Sequence, residues 1–252
     1  MSERSLAGKR IVVVGASAGI GRAFAVRAGK EGARLVLVAR RADRLADVAA
    51  EAGNATTVSA DICEPADCAR VGATAAEVFG QVDLLLISAG YAPLKMFCDI
   101  DAQDWLDVLK TNVIGVHQLI KFHLPVLSPG GIVAVLSSDS VRHPHSALGA
   151  YSSSKAALER SLVAWRMEHP GYRFSCVEVG ATVPTDFISA FDPELLGSVS
   201  GEWISRGLVP GVHMTPEGVA EVLAGIFASA ADNPDVGLEH ITVKSPAAPM
   251  QL

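Results

Sequence analysis

Tyr151 and Lys155 are spaced so that one chemical step could use both side chains. They stand four residues apart in Tyr151-Ser152-Ser153-Ser154-Lys155, and residues at this spacing share one face of a helix. A free tyrosine has a pKa of about 10 and is a poor base at neutral pH, but a neighbouring ammonium lowers that pKa. The pair is therefore a candidate for acid–base catalysis, although a tyrosine and a lysine at this spacing are more often a surface pair.

Two further polar residues lie where predicted elements would bring them toward this pair. Ser138 directly follows the apolar run 131–137, which is predicted to be a strand, and Asn112 lies within the predicted helix 102–127. In an open parallel sheet, ligands bind beyond the carboxyl ends of the strands. We therefore expect Ser138 and Tyr151 to face the same crevice.

The elements that must position these residues follow from the hydrophobic pattern. Short runs of Val, Ile and Leu alternate with longer amphipathic stretches, which is typical of βαβ units. We predict an α/β fold, a Rossmann-type doubly wound sheet of about seven parallel strands with helices on both faces, in a single domain over residues 1–252. The strands are predicted near 10–15, 34–39, 55–59, 82–88, 131–137, 173–179 and 240–244. The helices are predicted near 19–31, 42–52, 65–80, 102–127, 151–168 and 215–230.

The segment 183–214 departs from this pattern. It is rich in Pro and Gly, and a long insertion beside the carboxyl ends of a sheet is usually a functional loop. We predict a substrate loop or lid with short helices of its own, whose apolar residues favour an apolar substrate. Those residues are Phe187, Phe191, Leu195, Trp203, Ile204, Leu208 and Val209.

A glycine-rich turn joins the first predicted strand to the first predicted helix. Glycines let the backbone turn tightly and lie close to a pyrophosphate, and the helix N-terminus beyond them offers free N–H groups. The turn predicts a dinucleotide cofactor; the alternative is a tight turn that only needs small residues. The predicted contacts are Gly15, Ser17, Ala18, Gly19, Ile20 and Gly21.

The end of the second predicted strand bears on which dinucleotide binds. An acidic residue there would accept hydrogen bonds from ribose hydroxyls and repel a 2′-phosphate. This chain has Arg40 and Arg41 instead, and guanidinium groups bind phosphate well. We predict NADP(H) rather than NAD(H), the alternative being that the two arginines are a solvated loop pair.

Together these features resemble the short-chain dehydrogenase/reductase family. The resemblance rests on the three residues between the first two glycines of the turn and on the group Asn112, Ser138, Tyr151 and Lys155, and it covers nearly the whole chain. It implies further cofactor contacts beyond the third, fourth and sixth strands. These are Asp61, Ile62, Ser88, Ala89, Gly90, Gly180, Thr182 and Val183, with Tyr151 and Lys155.

The resemblance also implies roles for the four catalytic residues. Tyr151 would protonate a carbonyl oxygen in reduction, or act as base in alcohol oxidation, and Ser138 would orient that oxygen. Lys155 would bind the nicotinamide ribose and lower the pKa of Tyr151, and Asn112 would hold a water that relays protons. The expected activity is that of an NADP-dependent oxidoreductase acting on a carbonyl or secondary alcohol. Alternatives are a 3-oxoacyl-(acyl-carrier-protein) reductase-like enzyme and a non-catalytic NADP-binding regulatory protein.

Composition limits the remaining partners. The 252 residues carry 21 basic and 27 acidic side chains, a net charge of −6 that predicts no nucleic-acid partner. The apolar runs are too short to span a membrane, and the first residues do not read as a secretory signal, so a cytoplasmic protein is expected. No cysteine or histidine has metal-site spacing, which predicts no metal. The family resemblance implies a homodimer or homotetramer formed through helices 102–127 and 151–168.

Overall fold

Seven parallel strands form one sheet at the centre of the molecule. The computed structural model describes residues 5–189 and 191–250. The strands are β1 (Arg10–Val14), β2 (Arg34–Ala39), β3 (Ala55–Ser59), β4 (Val82–Ile87), β5 (Leu127–Ser138), β6 (Arg173–Val179) and β7 (His240–Val243). Their order is β3-β2-β1-β4-β5-β6-β7, and each strand is parallel to its neighbours. The predicted doubly wound sheet is therefore confirmed.

Helices cover both faces of this sheet. They are α1 (Gly19–Lys30), α2 (Ala42–Ala52), α3 (Pro65–Phe79), α4 (Ala102–Leu109), α5 (Val116–His123), α6 (Gly149–Glu168), α7 (Pro193–Ser205) and α8 (Pro216–Ala231). Helices α1, α2 and α8 pack on one face, and α3, α5 and α6 pack on the other. Within the described part of the chain, no helix has both the length and the hydropathy that a membrane span needs.

The apolar runs of the strands reflect burial on both faces. Along β1, Ile11 and Val13 belong to one core and Val12 and Val14 to the other, because successive strand residues point to opposite faces. All four side chains are almost completely buried. A strand covered on both sides needs apolar residues at every position, which explains why the strands were recognisable in the sequence.

The prediction of a single helix over 102–127 is wrong in detail. Helix α4 runs into a π-helical segment at Lys110–Gly115, which continues as α5, and a 3-10 turn at Leu124–Val126 ends the series. Strand β5 then begins at Leu127, ahead of its predicted start. The Pro129-Gly130 pair lies inside this strand, beside a shift of register between β4 and β5.

The predicted lid segment contains regular structure. A 3-10 turn spans Asp186–Ile188, and α7 begins after Asp192, whose carboxylate accepts a hydrogen bond from the Leu195 N–H at 2.8 Å. Pro193 occupies the first turn of α7, where a missing N–H does no harm. Its proline and glycines had made this helix hard to see in the sequence.

Gly21→Ala should destabilise the protein. A Cβ at this position would clash with the Gly15 carbonyl, which is held because the Gly15 N–H bonds the Val38 carbonyl at 2.8 Å. We expect a loss of roughly 1–3 kcal/mol in the free energy of unfolding, measured with urea. The matched control is Gly225→Ala, on the exposed side of α8, where an added Cβ would have no neighbouring atom within 4 Å. This substitution should increase the free energy of unfolding by up to about 1 kcal/mol. Equal effects of the two substitutions would contradict this account of the turn.

Candidate active site

The predicted catalytic tyrosine and lysine lie side by side in the first turns of α6. Tyr151 is 8% exposed and Lys155 is 3% exposed. The Lys155 ammonium donates to the Leu136 carbonyl of β5 at 2.8 Å, and its Nζ lies 5.8 Å from the centroid of the Tyr151 ring. The pair is thus buried against β5 and is not a surface pair.

Asn112 reaches the same place from the π-helical segment. Its Oδ1 accepts from the Tyr91 N–H at 2.8 Å, and its Nδ2 donates to the Tyr91 carbonyl at 2.8 Å and to Ser154 Oγ at 2.9 Å. These bonds join the loop after β4 to α6. Asn112 Oδ1 and Lys155 Nζ also border Gly90, lying 3.6 and 3.5 Å from where a Cβ would stand. The structure therefore brings Asn112 to the lysine, while its role in holding a water stays a prediction.

Burial dominates the acid–base properties of the pair. It raises the pKa of Tyr151 to about 12, against an opposing effect of the hydrogen bond with the Ser138 side chain. It also lowers the pKa of Lys155 to about 8. The pKa of Tyr151 is thus raised and not lowered as expected from its lysine neighbour, because the charged forms of both side chains lose hydration in the same buried space. At neutral pH the phenol holds its proton and can donate it.

Ser138 ends β5 beside this phenol, and an acidic residue follows it. The Ser138 hydroxyl accepts a hydrogen bond from the Ser140 N–H at 3.2 Å, which orients its side chain. Burial raises the pKa of Asp139, and the negative charge of this carboxyl contributes to the high pKa of Tyr151. Asp139 was not singled out in the sequence, although it directly follows the predicted serine.

The glycine-rich turn forms a close cradle at the end of β1. A Cβ on Gly15 would stand 2.7 Å from the Ala89 N–H nitrogen, so the turn touches the backbone of Ser88-Ala89-Gly90 directly. The Ser88 N–H donates to the Val14 carbonyl at 2.9 Å. In the described structure no side chain caps the N-terminus of α1, whose free amides face this turn. Such a cradle fits the phosphates of a dinucleotide.

The predicted arginines differ in their surroundings. Arg41 donates to Ser17 Oγ at 3.0 Å and to the Asp186 carboxylate of the lid at 2.6 Å. Arg44, which the sequence analysis missed, donates to the same carboxylate at 2.8 Å. Arg40 is exposed and forms no ion pair within residues 5–189 and 191–250. Arg44 lies three residues after Arg41, at the start of α2, and this i+3 spacing could have identified it in the sequence.

Asp61 and Ile62 follow β3 as predicted. The Asp61 carboxylate accepts from the Cys63 N–H at 2.9 Å, which shapes the turn. Ile62 is buried against Gly115, where a Cβ would stand 2.8 Å from the Ile62 carbonyl oxygen. The two residues thus lie at the carboxyl edge of the sheet with the π-helical segment beside them.

The stretch after β6 lies at the same edge. The Gly180 N–H donates to the Val243 carbonyl at 3.0 Å, and Thr182 Oγ1 donates to the Gly180 carbonyl at 3.0 Å. The Val183 N–H donates to the Met214 carbonyl at 2.9 Å. These bonds hold the beginning and the end of the lid segment together, and contacts of Gly180, Thr182 and Val183 with a nicotinamide stay predictions.

Four of the seven apolar lid residues lie around Tyr151. The Phe187 ring lies 5.0 Å from the Tyr151 ring and 5.3 Å from Phe191, which is buried with Tyr151 in one small cluster. Leu195 and Trp203 pack on this cluster, while Leu208 lines a polar cleft with Asp139 and other residues. The lid thus places aromatic side chains directly against the phenol.

A buried carboxylate braces the strand ends behind the site. Glu178 of β6 is 2% exposed and pairs with Arg142, with Lys244 at 3.2 Å and with His240 at 3.6 Å. Arg142 also pairs with Glu159 of α6 at 3.2 Å. These ion pairs connect α6 to the ends of β6 and β7, and their separation along the chain hid them from sequence analysis.

Three of the residues in this area lie close enough together to hold a cation, but their chemistry does not suit one. Glu159, Cys176 and His240 carry the potential ligand atoms. The Arg142 guanidinium lies 3.1 Å from His240 Nε2, and burial raises the pKa of the Cys176 thiol to about 12. A cation there would meet a positive charge and a protonated thiol.

Comparison with known proteins identifies the family. The sequence model of the short chain dehydrogenases matches residues 9–195, and the chain belongs to this family. Over 191 residues, 73% of the chain, it is 34% identical to glycine betaine reductase ATRR of Emericella nidulans, and it spans 15% of the length of that protein. This protein is therefore an oxidoreductase of the short-chain dehydrogenase/reductase type.

Solved structures agree with the family and the fold. A short-chain dehydrogenase/reductase from Brucella melitensis, described as a glucose/ribitol dehydrogenase, superposes with a TM-score of 0.84 and 29% identity over 98% of both chains. An alcohol dehydrogenase from Thermococcus sibiricus, complexed with 5-hydroxy-NADP, gives a TM-score of 0.81 and 25% identity over 97% of this chain and 99% of that one. The likeness extends over the whole sheet and the lid segment.

The burial of Lys155 gives a stability prediction with a definite sign. The pKa of Lys155 falls from about 10.4 in the unfolded protein to about 8 in the folded protein. Below pH 8 the ammonium is charged in both states, so the whole free-energy cost of burying it lowers the stability of the protein. This cost decreases as the pH rises from 8 toward 10. Above pH 10 the raised pKa of Tyr151 has the opposite effect and lowers the stability as the pH rises. Lys155→Met should therefore raise the free energy of urea unfolding at pH 7 by about 1–2 kcal/mol, and this advantage should shrink by roughly as much at pH 9.5. An advantage that does not change with pH would contradict the buried ammonium.

Proposed function

We propose that this protein is an NADP(H)-dependent oxidoreductase that reduces a carbonyl group, or oxidises the corresponding secondary alcohol, with Tyr151 as the acid–base group. The observation that carries the proposal is the burial of the Tyr151 phenol at the start of α6, with the Lys155 Nζ, one helical turn away, 5.8 Å from the centroid of its ring. A regulatory protein that only bound a dinucleotide would have no use for a lysine kept in this unfavourable place.

Each protein group has a defined task in carbonyl reduction. Tyr151 donates its proton to the carbonyl oxygen as negative charge develops there, and Ser138 donates a hydrogen bond to the same atom. Lys155 orients the ribose next to the nicotinamide and favours the phenolate that remains. Asn112 fixes the π-helical segment against α6 and holds a water that relays protons to Lys155. When bound, the cofactor supplies the hydride.

The proposed cofactor is NADP(H), because cations and free amides surround its binding place. The turn at Gly15–Gly21 receives the pyrophosphate, and Arg41 receives the 2′-phosphate, with Arg40 available from the adjoining loop. Asp186 already shows that an anion fits between the guanidiniums of Arg41 and Arg44. The alcohol dehydrogenase from Thermococcus sibiricus, a relative in fold, is complexed with an NADP derivative.

The proposed substrate is an apolar small-molecule carbonyl compound or alcohol, since the Phe187 ring lies 5.0 Å from the ring of the reacting phenol and Phe191 lies 5.3 Å from Phe187. We further infer that the protein forms a homodimer or homotetramer. In support, α4, the π-helical segment and α6 expose large apolar side chains that water solvates poorly. These are Leu106, Ile114 and Met167.

Tyr151→Phe should abolish turnover while leaving cofactor binding intact. Without the hydroxyl nothing protonates the carbonyl oxygen, so kcat should fall by at least about 100-fold. The measurement is NADPH oxidation with a panel of ketones, aldehydes and acyl thioesters, alongside fluorescence titration of NADPH. Tyr172→Phe, whose hydroxyl bonds the Leu124 carbonyl at 3.3 Å away from this edge, is the matched control and should keep wild-type kcat. Turnover retained by Tyr151→Phe would refute the catalytic assignment.

Arg41→Ala should weaken NADPH binding selectively. Losing charge-assisted hydrogen bonds to a phosphate should raise the Kd of NADPH by about 10-fold or more, while the Kd of NADH changes less than about twofold. Arg160→Ala removes the same charge from an exposed position of α6 and serves as the control. Equal affinity of the wild-type protein for NADPH and NADH would overturn the cofactor preference.

A further inference from the structure

Three successive lid residues each contact a different part of the proposed cofactor and catalytic site. The Thr185 methyl group lies 3.5 Å from where a Cβ of Gly19 would stand, over the glycine-rich turn. The Asp186 carboxylate accepts hydrogen bonds from Arg41 and Arg44, and the Phe187 ring lies 5.0 Å from the Tyr151 ring. This segment, Thr185–Phe187, is called the lid turn below.

We propose that Asp186 is a specificity-determining residue: its carboxylate occupies the guanidiniums of Arg41 and Arg44 that a 2′-phosphate needs, so that a 2′-phosphate releases the lid turn and a 2′-hydroxyl does not. The inference rests on the proposed preference for NADP(H). It adds Arg44 to the phosphate-binding residues and makes the lid respond to the cofactor that carries the phosphate.

The geometry around Arg41 favours such an exchange of anions. Its guanidinium is held from the other side by Ser17 Oγ at 3.0 Å, within the glycine-rich turn, so it stays in place when Asp186 leaves. Asp186 and the two arginines together form two charge-assisted bonds to one carboxylate. A phosphate monoester offers three acceptor oxygens to the same planar guanidinium donors, where a carboxylate offers two.

Charge and exposure favour a 2′-phosphate over the Asp186 carboxylate as the partner of Arg41 and Arg44. The side chains of Arg41, Asp186 and Arg44 are 41, 45 and 48% exposed, and ion pairs this open to water are weak. A carboxylate carries one negative charge, whereas a phosphate monoester carries about two at neutral pH. The electrostatic attraction of the guanidiniums to a phosphate is therefore stronger than their attraction to the Asp186 carboxylate, which the phosphate can displace.

Hydrogen bonds within the 3-10 turn couple the positions of Asp186 and Phe187. The Asp186 carbonyl accepts the Ser189 N–H at 3.1 Å and the Ser189 hydroxyl at 2.7 Å, which closes the 3-10 turn on itself. Phe187 lies inside this turn, so a displacement of the Asp186 carboxylate also shifts the Phe187 ring on Tyr151. Binding at the 2′-phosphate position is thereby linked to access at the phenol.

The first test compares adenosine 2′,5′-bisphosphate with adenosine 5′-monophosphate, which differ only in the 2′-phosphate. By calorimetric titration, Asp186→Asn should bind the bisphosphate about three- to tenfold more tightly than wild type, because the competing carboxylate is gone. Its affinity for the monophosphate should change less than about twofold. Arg44→Ala should weaken the bisphosphate alone.

The matched control is Asp47→Asn, the same charge change on the exposed side of α2, where the described residues offer Asp47 no ion pair. It should leave both affinities as in wild type. If Asp186→Asn binds the bisphosphate no more tightly, or tightens both nucleotides equally, the inference is wrong and the NADP(H) preference stands. If wild type does not prefer the bisphosphate to the monophosphate, the cofactor preference is wrong and the inference falls with it.

The second test follows the lid turn itself, without turnover. Chymotrypsin cleavage after Phe187, monitored by mass spectrometry on the whole protein, should speed up in wild type about threefold or more with the bisphosphate and remain unchanged with the monophosphate. Asp186→Asn should be cleaved rapidly without either nucleotide. Cleavage that the bisphosphate leaves unchanged or slows would overturn the release of the lid turn.

Discussion

The burial of the Lys155 ammonium between α6 and β5 is the constraint on which the site depends. A charge with 3% exposure is tolerated only where it is hydrogen-bonded, and the Lys155 ammonium donates to the Leu136 carbonyl. That bond fixes how far along β5 the helix lies. Tyr151, one turn earlier on α6, then meets Ser138 at the strand end, and the same contact surface buries Ser154 against Asn112.

The rest of the fold keeps this contact rigid and leaves the other side adaptable. Behind the site, the buried Glu178 carboxylate pairs with Arg142, which also pairs with Glu159, so that these contacts tie the ends of the last two strands to α6. In front of it, the lid is held by exposed ion pairs of Asp186 and by aromatic contacts of Phe187. The carboxylate behind the site is therefore removed from water, whereas the carboxylate in front of it is open to water, on the side where ligands must enter.

Much of this arrangement could be read from the residues. The seven strands were visible because both faces of the sheet are buried, and the turn at Gly15 was recognisable because a side chain there would meet the backbone at Ala89. The lid assignment of 183–214 stays a prediction, and α7 within this segment was not located, because Pro193 resembles a helix breaker until its place in the first turn is known. Asp186 escaped notice because its pairing with Arg44 spans 142 residues and leaves no periodic signal, whereas the spacing of Arg44 from Arg41 was a usable local signal.

The sequence by itself determined the fold, the family and the residue types at the site, because hydrophobic period and the four-residue spacing of Tyr151 and Lys155 are local properties. Only the tertiary structure decided the chemistry of those residues. The pKa of Tyr151 lies near 12 and that of Lys155 near 8 because packing removes water from both side chains. Hydration, and the pairing of Arg41 with Asp186, depend on which distant segments meet, and no spacing along the chain encodes that directly.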